Sequence, residues 1–291
     1  MNIRLTLRSA MARIPAALAG LIITTASATA ADLNTQEIET NKAKVAALLN
    51  SFNTGDSAPI AAINKDEYTQ HNLDLADGLA GLSAVIKNAP PQGFKAKTHR
   101  LFADGNYVVA HTEYDFFGPK AGFDVFRFED GLIVEHWDNL TKITPPNPSG
   151  RTQFDGETRV SDIAATDKNK AIVSGFVEDV LVGGQADKLT QYVSTEKYLQ
   201  HNPGVADGLD GLGAALKYFA DNGLLMQYDK LHKVLGEGNF VLAISEGKFG
   251  PGDHVAYYDL FRLEDSLIVE HWDVIQTIPD KKAWKNQNGK F

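Results

Sequence analysis

The chain has 291 residues, 43% of them hydrophobic and 22% charged, and it contains no cysteine. That is ordinary globular material, long enough for two domains, and it excludes fibrous, disordered and disulfide-built classes. The formal net charge of −9, with no Lys/Arg cluster to offset it, excludes nucleic acid as a partner, because an acidic surface repels phosphate backbones.

The first residues carry Arg4, Arg8 and Arg13 without an acid, then an apolar run from Ile14 to Ile23, then Ala28-Thr29-Ala30. This pattern predicts a secretory signal peptide over residues 1–30, since the apolar run is too short for a membrane anchor and the small residues suit signal peptidase. The expected location is periplasmic or secreted, with no membrane association after cleavage. Removing the leader takes the net charge to −12.

The mature chain opens with a predicted helix. Asn34 and Glu37 form a capping box, and Ile38, Val45, Leu48, Leu49 and Phe52 recur at helical spacing until Gly55-Asp56 stops the run. A short helix is expected over 59–63, and a third follows Asp77, an acid placed to cap it. Everything after that reads as strand: "THRLFAD", "NYVVAHTEYDF", "FDVFRFE" and "LIVEHWDNLTKI" are rich in β-branched and aromatic residues, with turns at "ADGN" and "EDG". Helices followed by an antiparallel meander define an α+β class.

Beyond a polar, Pro- and Gly-rich joint, Thr144 to Asp162, the pattern repeats. "YTQHNLDLADGLAGL" from Tyr68 returns as "YLQHNPGVADGLDGL" from Tyr198, and "FRFEDGLIVEHWD" from Phe126 returns as "FRLEDSLIVEHWD" from Phe261. The second copy has its own first helix through Ile172, Val173, Phe176, Val177, Val180 and Leu181, stopped by Gly183-Gly184. A period near 130 residues makes each copy a whole domain rather than a solenoid turn, with boundaries at 31–155 and 159–291.

The turn between the last two strands decides which side chains share a face. With Glu129-Asp130-Gly131 as a three-residue loop, Phe128 faces Leu132 and Asp124 falls opposite His136. One face then holds Asp124, Phe126, Phe128, Leu132, Val134, His136 and Asp138. The other holds Val125, Arg127, Ile133, Glu135 and Trp137, where Arg127 and Glu135 can pair and Trp137 can pack or take a cation. Three ionisable groups among Phe, Leu and Val are costly unless they pair, and the arrangement is written twice, as Asp259, His271 and Asp273 in the second copy. Asp124 can orient the imidazole, and an apolar wall suits Asp138 to taking a proton from carbon.

The "YxQHN…ADG" block, the "DGNYVVAH" strand and the closing hairpin together resemble the SnoaL-like polyketide-cyclase branch of the nuclear transport factor 2-like superfamily, twice over. The resemblance implies tandem cone-shaped α+β barrels, each with three helices on a curved antiparallel sheet around one apolar pocket. In that family an aspartate on the last strand works as acid/base beside a histidine on the preceding strand. Asp138 and Asp273 match the aspartate, but the preceding strand offers Asp124 and Asp259, so His136 and His271 on the last strand are the available imidazoles. Single domains of the superfamily commonly pair through the outer faces of their sheets. This implies an intramolecular pseudo-dimer through Val125, Ile133 and Trp137 against Leu260, Ile268 and Trp272, and a homodimer of chains is compatible with it.

The expected function is abstraction of a proton from a small carbonyl compound, in an aldol, isomerase or cyclase type of reaction, without a cofactor. The alternative is a non-catalytic carrier of a small apolar ligand in the same pockets. His71 and Asn72, with His201 and Asn202, are placed to reach the pocket rim, Phe126 lines it, and His111, whose counterpart is Ile244, serves one domain at most. A metal site of His71, His136 and Asp138 lacks a metal-type spacing, and none is expected.

Overall fold

The computed structural model describes residues 30–89 and 92–291, with backbone alone for 30–33; the predicted leader therefore lies outside the described residues, but for its last position. In the first half, helix α1 (Ala30–Thr54), a 3-10 turn (Ala58–Ala62), strand β1 (Thr69–Gln70) and helix α2 (Gly78–Lys87) precede the long strands β2 (Lys95–Asp104), β3 (Tyr107–Asp115), β4 (Pro119–Glu129) and β5 (Leu132–Lys142). The second half repeats this as α3 (Thr166–Phe176), α4 (Leu189–Tyr192), β6 (Leu199–Gln200), α5 (Gly208–Asp221), β7 (Leu225–Glu237), β8 (Phe240–Gly250), β9 (Asp253–Glu264) and β10 (Leu267–Thr277). A π-helical turn, Val177–Val182, carries α3 on to the glycine pair.

Each half builds a five-stranded sheet, in the order β1-β5-β4-β3-β2 and β6-β10-β9-β8-β7. The sheets are mixed rather than purely antiparallel, since β1 and β6 run parallel to β5 and β10. Two-residue strands are too short to show a period of two, so the sequence pattern could not announce them.

The helices cover one face of each sheet. Val45, Leu48 and Leu49 of α1 are buried against Val108, Ala110, Phe126, Phe128 and Ile133, and Val173, Phe176 and Val177 do the same in the second half. Each such side chain contributes about 1.5–3 kcal/mol on burial, which is what holds the amphipathic helices down. Two cap expectations differ from what forms. Helix α1 begins before Asn34, so Asn34 and Glu37 lie within it. Asp77 and Asp207 start α2 and α5 without capping them, because their carboxylates instead accept from the amides of Gln70 and Gln200, at 2.9 Å each.

The β4–β5 hairpin turns on two residues, Asp130 and Gly131, both at positive φ, with Glu129 facing Leu132. The expected three-residue loop is therefore not formed. A bulge at Val134 then restores the alternation, so Arg127 faces Glu135, Phe126 faces His136 and Asp124 faces Asp138. The net effect keeps Asp124, Phe126, His136 and Asp138 on the inner face but turns Ile133 into the core under α1, not onto the outer face. Asp265 and Ser266 repeat the turn at positive φ, and Ile268 likewise turns inward.

The outer faces of the two sheets share one apolar cluster, with Phe102, Val109, Phe123, Val125 and Trp137 from one and Leu242, Ile244, Tyr258, Leu260 and Trp272 from the other. Asn139 crosses between the sheets, its amide donating to the carbonyls of Ala256 and Val274 at 2.9 and 2.6 Å. Arg127 pairs with half-buried Glu135 at 2.7 Å, and the equivalent pair Arg262 and Glu270, at 2.6 Å, is buried.

The segment after each sheet crosses to the opposite half. Past β5, the Asn147 amide donates to the carbonyls of Gln200 and Val205, and Arg151 pairs with Asp207. Past β10, Asn286 donates to the carbonyls of Asn72 and Leu75, and Asn288 to that of Gln70. Each segment then returns with a phenylalanine stacked on a histidine of its own sheet: Phe154 on His99 and Phe291 on His232, at ring distances of 4.6 and 4.0 Å.

Candidate functional site

The inner face of the β4–β5 hairpin gathers the polar end of a cavity. β1 lies beside β5 with Gln70 against His136, and the chain leaving β1 carries Asn72 to Asp138. His136 sits between two acceptors, Gln70 Oε1 at 3.1 Å from Nδ1 and Asp124 Oδ1 at 3.2 Å from Nε2. Gln70 Oε1 also accepts the Asn72 amide at 2.8 Å, which fixes the orientation of the Gln70 side chain and so requires a proton on His136 Nδ1. Between Nε2 and Asp124 a further proton must be shared, giving either an imidazolium facing a carboxylate or an imidazole facing a carboxylic acid. Burial pushes the Asp124 carboxyl up, and its hydrogen bond to His136 opposes the rise. The other Asp124 oxygen accepts from the Tyr114 hydroxyl at 2.6 Å.

Asp138 differs from Asp124 in one respect. Its Oδ2 accepts from Asn72 Nδ2 at 2.6 Å, but Oδ1 is buried without a hydrogen-bond donor. Near it, the Tyr68 hydroxyl accepts from Gln70 Nε2 at 3.3 Å and, among the described residues, donates to no acceptor. Burial and the charges of Asp138 and Asp124 push the Tyr68 phenol far up, so it keeps its proton.

These groups close one end of a cavity of about 480 Å³, whose remaining wall is largely apolar and includes Leu48, Phe52, Leu82, Val85, Phe116 and Phe126. The second half repeats the polar end. His271 lies 3.1 Å from Gln200 Oε1 and 3.0 Å from Asp259 Oδ1, and Asn202 donates to Asp273 Oδ2 at 2.6 Å. Burial pulls the His271 imidazole down, but the Asp259 hydrogen bond and the charges of Asp273 and Asp259 outweigh it and leave the net shift upward. Burial raises the Asp273 carboxyl.

The space in front of this second cluster is about 70 Å³. Two residues before the strand-four aspartate, the first half has Gly122 and the second has Tyr257. Tyr257 is fully buried and stacks on Tyr228 at 4.0 Å. Tyr228 in turn replaces Tyr114 from the neighbouring strand: Tyr114 faces Ala96 across β3 and β2, whereas Tyr228 faces Gly247 across β7 and β8. The phenol returns to the same carboxylate, Tyr228 OH lying 3.2 Å from Asp259 Oδ2.

Three expected ligand-binding histidines stand elsewhere. His71 and His201 follow Gln70 and Gln200 and so point to the opposite side, where they stack on Trp137 and Trp272 at 4.7 and 4.6 Å and bond to Glu135 and Glu270 at 2.9 Å each. His111 faces the domain contact, 3.0 Å from Arg100 Nη1 and stacked on Phe123, and burial beside Arg100 pulls it well below the usual imidazole range. A metal cluster of His71, His136 and Asp138 is thus not assembled. Asp124, His136 and Asp138 do bring ligating atoms within 4.8 Å of one another, as do Asp259, His271 and Asp273. Both ring nitrogens of each histidine are hydrogen-bonded within the protein, one to a glutamine and one to an aspartate. Asn72, Asn202 and Phe126 do line the cavities. Tyr68, Gln70 and Tyr114 were not singled out from the sequence, although the first two stand in the repeated Tyr-x-Gln-His-Asn block.

Residues 45–136 match the family model described as the SnoaL-like domain. The match falls on the α+β unit of the first half, and the second half repeats its order of strands. No curated protein matches the chain. Among solved structures, a SnoaL-like polyketide cyclase from Agrobacterium tumefaciens is 17% identical over 40% of this chain and 93% of its own, with a TM-score of 0.30. An epoxide hydrolase of M. tuberculosis, described as LEH-like, is 24% identical over 36% and 85%, with a TM-score of 0.31. TsrD from Streptomyces laurentii is 20% identical over 35% and 88%, with a TM-score of 0.30.

Proposed function

We propose that the first domain binds a small, uncharged, mostly apolar carbonyl compound and removes a proton from the carbon beside the carbonyl. The observation that carries this reading is Asp138 Oδ1, which is buried without a hydrogen-bond donor in a residue lining a largely apolar cavity. Leaving a buried carboxylate oxygen without a donor is costly unless a ligand uses it. The carbonyl oxygen accepts from the Tyr68 hydroxyl, Asp138 takes the proton from carbon, and the hydrogen bond from Tyr68 strengthens as charge builds on the oxygen. Asp138 then returns the proton to the same or a conjugated carbon, or the enolate carbon attacks a second carbonyl and the alkoxide formed takes the proton from Asp138. His136 lines the cavity with both ring nitrogens engaged by Asp124 and Gln70, and its proton neutralises Asp124, whose carboxylate would otherwise repel that of Asp138 directly opposite.

In this reading the second domain is support rather than a second enzyme, because Tyr257 and Tyr228 fill the space that Gly122 leaves open in the first. The tandem arrangement acts as an intramolecular pseudo-dimer, and the leader directs it out of the cytoplasm. The test is deuterium uptake at the α-carbon of small cyclic ketones in D₂O, followed by NMR. Wild-type protein should catalyse it, whereas ketone binding without uptake would leave a carrier. Tyr68→Phe should slow uptake by on the order of a hundredfold with little change in ketone affinity. Tyr257→Ala should open the second cavity, so an apolar dye titrated into the protein binds two per chain instead of one, and a stoichiometry that stays at one would contradict the filling argument.

A further inference from the structure

The cluster in the first domain is not made by that domain alone. Lys290, in the segment beyond β10, lays its ammonium against the edge of β5 where β1 has already ended. Nζ donates to the Asp138 carbonyl at 2.6 Å and to Gln276 Oε1 at 2.8 Å, and lies 3.8 Å from Asp138 Oδ1, the oxygen without a hydrogen-bond donor. The side chain is 95% buried, so this charge is poorly screened. Burial pulls the Lys290 amine down, and the charges of Asp138 and Asp74 oppose the fall.

The second copy lacks this cation. Gln153 holds the place of Lys290, each directly preceding the phenylalanine that stacks on the equivalent histidine. It is neutral, and its oxygen accepts from the Thr144 amide. The difference between the two segments thus follows the difference between the cavities: the open one has the lysine.

We infer that Lys290 is a positioning residue which the second domain contributes to the first domain's site, holding Asp138 as a carboxylate ready to take a proton. The other groups around Asp138 cannot do this. Asp124 and His136 are committed to each other, Asn72 donates to Asp138 but carries no charge, and Tyr68, Tyr114 and Tyr258 are buried phenols that stay neutral. The role rests on the base assignment made above for Asp138, but the charge coupling can be read without any substrate.

The experiment uses the full chain carrying ¹³C-labelled aspartate, with the Asp138 signal assigned by its loss in Asp138→Asn. Its titration midpoint is compared in wild type, Lys290→Met, Lys290→Gln and Lys290→Arg. An opposite charge at this distance lowers a carboxyl, so removing it should raise the midpoint by on the order of one to two pH units in the Met and Gln variants. A base works only when deprotonated, so the rising limb of ketone exchange should move to higher pH by the same amount. Lys290→Arg should restore both. The His232 ring signal, displaced by stacking on Phe291, reports whether the segment stays seated. Should the segment detach, the cation leaves with it, so an unmoved midpoint overturns the inference in either case. A midpoint that moves equally in the Arg variant overturns it too, since packing rather than charge would then be responsible. If the midpoint moves as expected but the wild type exchanges no ketone, the coupling stands and the catalytic reading fails.

Discussion

Asp138→Asn should lower the rate of α-proton exchange by about 10²–10⁴-fold while ketone affinity changes little. Asparagine keeps the shape of the side chain, and its amide oxygen can still accept from Asn72 Nδ2, the one protein hydrogen bond that the carboxyl group makes. What is lost is the carboxylate oxygen that has no hydrogen-bond donor. The comparison is clean because Asp124 cannot take over: both of its oxygens are engaged, one by His136 and one by Tyr114. An Asp138→Asn protein that exchanges its ketone at an undiminished rate would remove this residue from the chemistry. Loss of affinity in step with rate would instead make it a binding group.

The second large effect concerns stability. Trp272→Ala should destabilise the protein by about 3–5 kcal/mol, the range for a large aromatic deleted from a packed core. Trp272 is 1% exposed within the cluster shared by both sheets, with the Arg100 guanidinium 4.0 Å above its ring and His201 stacked 4.6 Å from it. Its indole N–H donates to the Asp155 carbonyl at 3.0 Å, so the change also removes that bond and leaves Arg100 over a void. Because the cluster joins the halves, the variant should unfold in denaturant with two separated transitions where the wild type shows one. A loss under about 1 kcal/mol, with a single transition retained, would mean that the two sheets stand independently.

Much of this architecture was legible in the chain itself. Two copies of a thirteen-residue hairpin, each after helices and long strands, announced tandem α+β domains, and the inner-face set of Asp124, Phe126, His136 and Asp138 was readable from its alternation. That grouping was reached through a turn that does not form. The two-residue turn alone would have flipped the faces, and the bulge at Val134, which has no local sequence signal, put them back. Ile133 and Ile268 went to the wrong side for the same reason. His71 and His201 were misplaced because the short strands β1 and β6, which set their direction, are too brief to show periodicity. Lys290 could not be read at all as a partner of the site, since nothing local says that the segment after one sheet reaches the other domain. The unequal cavities were written as Gly122 against Tyr257, but their meaning needed the third dimension.

The most direct test of the account sets Asp273→Asn beside Asp138→Asn in one exchange assay, with the same ketone, protein concentration and pH. The two substitutions are chemically identical and sit in equivalent hairpins, so only the open cavity and Lys290 distinguish them. The account predicts that Asp138→Asn abolishes exchange and that Asp273→Asn leaves it near the wild-type rate. Equal losses in both, or loss in Asp273→Asn alone, would contradict it.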